Sequence, residues 1–384
     1  MKRLILLMFG SMSMFQVQAQ ETTNSSNENP FSFDASYVGD VVRNFAGGIK
    51  KGGTSLGMAN LKLGFETEKA GWWQGGEFFL NAANTHGGEP SANFIGDYQI
   101  ASNLEAGDLT YLQEFWFKQQ LGKVALVVGL QDLAVEFLSS ENAGLYLNSS
   151  FGVHSTISNN SPVPIFPLTA LGVQFHYHFT EKFTFKTALF DGVPDDFSKN
   201  RYNIKWKICK KDGFLSFSEL SLDNSASSSS GIYKIGVYYH NKYACSSQDE
   251  SGTEFTENCT ENYGCYVSVD QSLFKDESGR ELTLFTQGSI SPKHLNANWY
   301  YLGGGINCKG WVANRTDDVL GFACAHSGIN NEIGSETTFE LTYKTQLGEH
   351  FFVQPDFQYI INPAGTDEKL KNSAVGFVRI GLNF

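Results

Sequence analysis

Apolar and polar residues alternate singly along much of the chain, most clearly over its last fifty residues. Between residues 337 and 344 the apolar positions are Phe339, Leu341 and Tyr343. Threonine, glutamate and lysine separate them, and similar alternation through 351–359 and 377–384 ends at the terminal phenylalanine. A period of two places each set on one face of a β-strand. The pattern fits either a soluble, secreted β-sandwich or adhesin that buries its apolar face, or a membrane barrel that turns this face towards lipid.

Sixteen such runs predict an all-β chain with almost no helix. They lie near residues 31–38, 57–66, 75–84, 110–120, 123–132, 166–179, 182–191, 214–220, 230–240, 263–274, 280–290, 298–307, 319–327, 336–347, 350–361 and 374–384. Their lengths suit tilted strands that cross a membrane, and no run of 18 apolar residues is present. The even number of strands predicts a transmembrane antiparallel β-barrel. The 32 Phe, 16 Tyr and 39 Gly agree with aromatic girdles and tight turns.

The connections between these runs alternate between short and long, which is typical of outer-membrane barrels. Short ones lie at 180–181 and 348–349, and long ones at 85–109, 192–213, 241–262 and 308–318. The stretch 133–165 contains Pro162 and Pro164, and we predict that it folds inward and narrows the pore.

The first thirty residues predict export. Residues 1–19 have the pattern of a secretory signal peptide, with Lys2 and Arg3 before an apolar core and small residues at its end. Residues 20–30 are polar and predicted to be disordered, which leaves 31–384 as the barrel domain. Without Lys2 and Arg3 the 28 basic side chains become 26 against 40 acidic ones, a net charge of −14. This charge argues against a nucleic-acid partner, and we hypothesise that it gives the lumen a mild cation selectivity.

Six cysteines lie after residue 200, and in an exported chain they are candidates for disulfides. They are Cys209, Cys245, Cys259, Cys265, Cys308 and Cys324. Pairing Cys245 with Cys259, or Cys308 with Cys324, would close one long loop each, but fifteen pairings are open. The paired Cys-x-x-Cys spacing of a metal site is absent. His176 and His178 share a strand face, but two ligands without a third do not define a metal site.

Several stretches resemble the carbohydrate-selective porins of the OprB family, in the order in which that family has them. They are 96–99 with 102–106, 114–116, 147–152, 217–219, 231–236, 263–266 with 270–271, 310–317, and 354–359 with 362–363. The last stretch, Gln354-Pro355-Asp356-Phe357-Gln358-Tyr359 before a terminal Phe384, is the most specific. The resemblance implies a sixteen-stranded outer-membrane barrel that passes sugars by diffusion, with no enzyme activity and no cofactor.

The chain departs from that family at one place. Where such porins tend to have Gly-Lys-x-Asp, this chain has Gly129-Leu130-Gln131-Asp132. A lumen cation would then be missing, which puts the sugar selectivity in question. A porin of general, non-selective diffusion is therefore the alternative function, and an outer-membrane barrel enzyme such as a lipase or protease is a rival in another class.

A sugar pore needs hydrogen-bonding groups for hydroxyls and aromatic faces for sugar rings. Alternation turns one set of polar residues towards the lumen, and these are our candidate pore-lining residues: Glu114, Trp116, Lys118, Asp132, Glu340, Lys344, Gln354, Asp356, Gln358 and Arg379. For each, the alternative is a structural salt bridge in the wall, with Arg379 expected to pair with Asp356 or Glu340. Phe384 resembles the terminal signal read by the barrel-assembly machinery. Sugars, outer-membrane lipids, that machinery and a homotrimeric assembly are the expected partners.

Overall fold

The structure is a computed structural model, and it describes residues 29–225, 230–246, 258–312 and 315–384. Side chains are described throughout these ranges except at 243–246 and 258–259. The predicted signal peptide at 1–19 and nearly all of the polar segment 20–30 lie outside the described residues. No helix in the described ranges is long and apolar enough to span a membrane.

Sixteen antiparallel strands form one closed barrel in which each strand pairs with its neighbours in sequence and β1 pairs with β16. The strands are β1 (Phe31–Ala46), β2 (Gly52–Glu66), β3 (Gly76–Gly87), β4 (Leu109–Leu121), β5 (Val124–Gln131), β6 (Ala170–His178), β7 (Phe183–Asp191), β8 (Phe214–Asp223), β9 (Gly231–Ser246), β10 (Asn258–Lys275), β11 (Glu281–Ile290), β12 (Asn298–Lys309), β13 (Val319–Ile329), β14 (Ser335–Leu347), β15 (Phe351–Ile361) and β16 (Ser373–Asn383). The predicted barrel and its strand number are confirmed. The main difference is that β1 continues eight residues beyond the predicted end.

The alternation in sequence becomes an inside and an outside. On β14, Glu336, Thr338 and Glu340 are fully buried, whereas Phe339 and Leu341, at the alternate positions, are 36% and 49% exposed. The outward face is therefore apolar and unprotected, which suits lipid and excludes the soluble sandwich. The polar face points into the barrel.

The two rims differ in the length of their connections. The rim that holds Phe384 carries the connections 122–123, 179–182, 276–280 and 348–350, while the opposite rim carries 88–108, 132–169, 192–213 and 362–372. The stretch 308–318 was predicted as a long loop, and this is wrong in position: it joins β12 to β13 on the rim of the short turns. Since short turns face the periplasm in such barrels, the long connections face outward.

An ion pair lies across the seam where the last strand meets the first. Arg379 on β16 is opposite Asp40 on β1 in the register, and its guanidinium donates to both carboxylate oxygens at 2.7 and 2.8 Å. Both side chains are buried, and Ser102 also donates to Asp40. The predicted pairing of Arg379 with Asp356 or Glu340 is wrong, because alternation gives the face of a residue but not its neighbour on the strand that closes the barrel.

The cysteines do not form the second predicted bridge. Cys308 and Cys324 are free thiols, as are Cys209 and Cys265. Cys308 lies opposite Leu320 and Cys324 opposite Gly304, so a register offset of four residues, about 13 Å, separates the pair. In contrast, the backbone of Cys245 lies directly opposite that of Cys259. The side chains of these two lie outside the described set, and their pairing stays a prediction.

Breaking the seam ion pair should destabilise the barrel strongly. We expect Arg379→Leu to lower the free energy of unfolding by about 3–5 kcal/mol, because Asp40 then remains buried as an unpaired charge. Urea titration of the detergent-folded protein, followed by tryptophan fluorescence, measures this loss. The control is Lys62→Leu, which removes the partly exposed pair between Lys62 and Asp34 at 3.7 Å and should cost less than about 1 kcal/mol. Equal losses in the two variants would contradict a special role for the seam pair.

Candidate functional site

Two connections from the outward rim fold into the barrel and line its wall. We call them inner segment 1, residues 88–108 between β3 and β4, and inner segment 2, residues 132–169 between β5 and β6. Inner segment 2 contains the predicted inward stretch 133–165. Because a segment inside a barrel must satisfy its backbone groups, each bonds to polar side chains of the wall.

Inner segment 1 is held by the strands on both sides of the seam. The backbone N–H groups of Tyr98 and Gln99 donate to the Glu336 carboxylate on β14 at 2.7 and 3.0 Å. On β15, β16 and β1 respectively, Gln358 donates to the carbonyl of Ala101, Arg379 donates to Asn103, and Asp40 accepts from Ser102. The segment therefore covers the wall from β14 to β1.

Inner segment 2 follows the rest of that wall, strand by strand. Its bonds run from Glu136 with Lys186 on β7 at 2.6 Å to Leu147, whose N–H donates to Glu340 on β14 at 2.5 Å. Between these ends the wall partners are Glu219 on β8, Lys234 on β9, Asp270 on β10, Thr283 on β11 and Asn307 on β12. Residues 136–147 therefore bond in turn to the strands from β7 to β12 and to β14, and Ser155 bonds to Ser327 on β13.

The two inner segments also bond to each other. The N–H of Asn103 donates to the carbonyl of Leu147 at 2.8 Å, and the N–H of Ser149 donates to that of Ile100 at 2.9 Å. A side-chain bond from Ser150 to Gln99 adds to these. The pair forms one continuous inner layer from β7 round to β1.

Asp132 fastens both ends of inner segment 2. Its carboxylate caps the short helix α1 (Leu133–Glu136) by accepting from Ala134 at 2.9 Å, and it accepts from Phe166 at 3.1 Å and from Gln113 at 3.3 Å. Burial raises the pKa of Asp132 to about 6, although these hydrogen bonds oppose the shift. Asp132 thus lies at the base of the segment rather than in open lumen.

The predicted pore-lining residues divide into two groups. Five lie on the inner face but are buried beneath the inner segments, which they bond to or pack against: Glu340, Gln354, Asp356, Gln358 and Arg379. Lys344 is half-buried, with its ammonium 4.3 Å from the centre of the Phe352 ring. Glu114, Trp116 and Lys118 lie on β4, where Gln113 bonds to both ends of inner segment 2 through Asp132 and Thr169. Glu114 is buried, with 6% of its surface exposed, whereas Trp116 and Lys118 are partly exposed.

These three residues and their neighbours on β3 form the candidate lining of the passage. The indole of Trp116 stacks on Phe79 with ring centres 4.8 Å apart and donates to Glu114 at 3.3 Å. Lys118 and Glu77 face each other at 3.9 Å, and both are partly exposed. A cavity of about 30 Å³ lies between Glu114, Trp116, Lys118 and the start of inner segment 2, and Asp132, Glu136 and Gln174 also line it.

Glu136, which lines this cavity, is held in its charged form by an ion pair with Lys186. Burial disfavours the charge of Glu136, but Lys186 at 2.6 Å and His176 outweigh it and lower the pKa of Glu136 to about 2. The two histidines of β6 bond within the wall, His176 to Gln174 and His178 to Thr184. In the described ranges no group of three His, Cys, Asp or Glu side chains could hold a metal ion.

Sequence analysis missed several residues that hold the inner layer. Glu336 has the same strand parity as Glu340, so alternation could have found it. Asp97 lies in the stretch that resembles the porin family, but nothing marked it as a buried group. Glu77 and Phe79 became candidates only through their register with Lys118 and Trp116. Leu130, the departure from the family pattern, lies opposite Phe115 on the outward face, so its lack of charge takes no cation from the lumen.

A closed sixteen-stranded barrel with an apolar outside and a lumen narrowed by inward loops defines an outer-membrane porin. The family model described as carbohydrate-selective porin, OprB family, matches residues 50–384. The chain therefore belongs to the OprB family of carbohydrate-selective porins.

Known proteins agree with this assignment. Porin B of Pseudomonas aeruginosa is 23% identical over 411 residues, covering 93% of this chain and 88% of the relative. The high-pH structure of Pseudomonas putida OprB superposes with a TM-score of 0.82 at 21% identity, over 92% of this chain and 94% of that one. The low-pH structure of the same protein gives a TM-score of 0.61 at 18% identity, over 92% and 93% of the two chains.

Inner segment 1 should become less stable as the pH rises. Burial raises the pKa of Glu105 to about 7, with Asp97 adding repulsion, while N–H groups of Ser91 and Ala92 oppose the shift. Because the folded pKa is raised, the folded chain keeps a proton that the unfolded chain loses above about pH 4.5. The stability that protonated Glu105 contributes to the fold is fully present below pH 4.5 and is lost as the pH rises through 7.

We therefore expect Glu105→Gln to raise the unfolding temperature at pH 8 and to leave it unchanged at pH 4. The corresponding gain in the free energy of unfolding at pH 8 is at most about 3 kcal/mol. Heat-modifiable gel mobility at the two pH values measures it, and Glu89→Gln, which alters an exposed carboxylate of the same segment, is the control. A gain that is the same at both pH values would contradict the assignment.

Proposed function

We propose that this porin passes sugars by passive diffusion past the inner face of β3 and β4, beside the start of inner segment 2. The observation that carries the proposal is the flat, partly exposed indole of Trp116, backed by Phe79 and flanked by Glu114, Lys118 and Glu77. An aromatic face suits the C–H face of a sugar ring, and charged groups beside it suit the hydroxyls. The carbohydrate selectivity in the family's description supports the same substrate class.

The buried polar residues have another task in this proposal. Glu340, Gln354, Asp356, Gln358 and Arg379 hold the inner layer in place, and so set the width of the passage without touching the solute. Asp132 holds the start of inner segment 2, and Lys344 lies on β14 with its ammonium over the Phe352 ring. A porin that held its loops loosely would select by size only, since a sugar must meet fixed groups to be preferred.

We propose no enzyme activity and no cofactor. The polar groups of the candidate lining form pairs within the wall, Trp116 with Glu114 and Lys118 with Glu77, which suits a passage that binds weakly and releases. The barrel enzyme stays the rival, and general diffusion stays the alternative within the porin class.

The proposed partners are sugars, outer-membrane lipids and the barrel-assembly machinery, with Phe384 as the terminal signal. Phe384 directly follows β16 at the periplasmic rim, is 68% exposed and exchanges backbone hydrogen bonds with Ala35. A homotrimer stays a prediction; one solved relative in fold, OmpT of Vibrio cholerae, is described in a trimer form.

Removing the indole should reduce the preference for sugars. We expect Trp116→Leu to lower the ratio of glucose to amino-acid swelling rates in liposomes about two- to tenfold, the loss of one ring contact. The solutes are glucose, a disaccharide and an amino acid of glucose size. Phe117→Leu, the neighbouring change on the outward face, is the control and should keep the wild-type ratio.

An unchanged ratio in Trp116→Leu would reduce the function to general diffusion. Absence of swelling by a wild-type protein that shows the heat-modifiable band would put the barrel enzyme first.

A further inference from the structure

One stretch of the long connection between β7 and β8 has an unusual composition for this acidic chain. Residues 201–211, which we call the basic strap, carry five cations and no carboxylate: Arg201, Lys205, Lys207, Lys210 and Lys211. Between them lie Tyr202, Ile204, Trp206 and Ile208. The whole chain has 40 acidic and 28 basic side chains, so this local excess of positive charge is opposite to the overall balance.

The start of the strap has a fixed conformation. The Asn200 carboxamide accepts from the N–H groups of Ile204 and Lys205 at 3.1 Å and donates to the carbonyl of Lys205. Asn203 adopts a left-handed backbone, with φ of 52°, and its buried amide donates to the carbonyl of Leu112 and to Thr169. The strap is thus attached to β4 rather than free above the rim.

The strap lies against the outside of the barrel. The indole of Trp206 stacks on Phe115, whose side chain is on the outward face of β4, with ring centres 5.7 Å apart. Leu130 is directly opposite Phe115 on the same face, yet it is only 1% exposed. Cross-strand partners share one face of the sheet, so protein rather than lipid covers the outer wall here.

The exposed side of the strap combines apolar and cationic groups. Ile204 and Ile208 are 59% and 71% exposed, and Trp206 is 41% exposed. In the ranges that the structure describes, none of the five cations forms a salt bridge, although Arg201 lies over the ring of Tyr202. Aromatic and aliphatic groups beside lysines are the composition of a segment that lies in a membrane interface.

The position of the strap selects the leaflet. The connection that contains it belongs to the rim of long loops, which faces outward, and it lies beside the lipid-facing wall. We propose that the basic strap binds the phosphate groups of a phosphorylated lipid headgroup in the outer leaflet. Ile204, Trp206 and Ile208 would enter the acyl boundary while the lysines contact the phosphates.

An alternative partner for the lysines is within the chain itself. The β9–β10 connection, outside the described residues, has Asp249, Glu250, Glu254 and Glu257 in its sequence. The lipid is favoured because it accounts for two features at once, the charge and the exposed apolar side chains placed on the lipid-facing wall. An acidic loop would account for the charge only.

The test compares two lipids that differ only in phosphate. Native mass spectrometry of the full folded protein in a non-ionic detergent would measure its affinity for bis-phosphorylated lipid A and for the same lipid without phosphates. We expect the phosphorylated form to bind at least about tenfold more tightly, and the variant K205Q/K207Q/K211Q to lose this preference. An excess of free inorganic phosphate should not displace the lipid, because it lacks the acyl chains.

The matched control removes three exposed lysines from other connections of the same rim, β1–β2 and β15–β16, as K51Q/K369Q/K371Q. It should keep the preference. Equal affinities of the wild type for the two lipids, or equal losses in the two variants, would overturn the proposal. Should the strap variant not show the heat-modifiable band, raising salt with the wild-type protein decides instead: binding of the phosphorylated lipid alone should weaken.

Discussion

Complete pairing of the backbone is the constraint on which the rest of this molecule depends. In lipid, an unpaired N–H or carbonyl has no water to bond to, so a sheet that crosses the membrane must close on itself. Closure brings β1 and β16 together, 339 positions apart at Asp40 and Arg379. That pair also holds inner segment 1 through Ser102 and Asn103. The seam therefore joins the barrel to the layer inside it.

The inner layer obeys the same constraint inside the lumen. Its segments have few regular elements, so their N–H groups need acceptors from the wall, and carboxylates supply two each. Glu336 accepts from Tyr98, Gln99 and Ala364, and Glu340 accepts from Leu147 and Asn148. Charged acceptors make stronger hydrogen bonds than neutral ones. Acidic residues on β14 are thus a structural requirement of loops that fold inward.

The strands could be predicted from the sequence because each strand of a barrel wall alternates with a period of two. This pattern is visible within one strand and does not depend on which strands pair with it. It also placed Glu340, Gln354 and Arg379 on the inner face. It could not show that these would be covered, because the register between an inner segment and the wall leaves no periodic pattern. The partner of Arg379 and the role of Glu77 needed the closed topology. The basic strap was predicted only as part of a long loop, since nothing local says that a loop turns back along the outer wall.

Because many carboxylates are buried or paired in this way, the net charge of the chain does not by itself predict the ion selectivity of the lumen. The net charge of −12 predicts a cation-selective lumen only if the carboxylates face the passing solute. Several do not: Asp40 neutralises Arg379, Glu136 neutralises Lys186, and Glu336 and Glu340 are buried beneath backbone N–H groups. The partly exposed charges of the candidate lining are Glu77 and Lys118, which form a pair, while Glu114 is only 6% exposed. We therefore expect selectivity to depend on these few side chains and on the neighbouring indole rather than on the overall acidity of the chain.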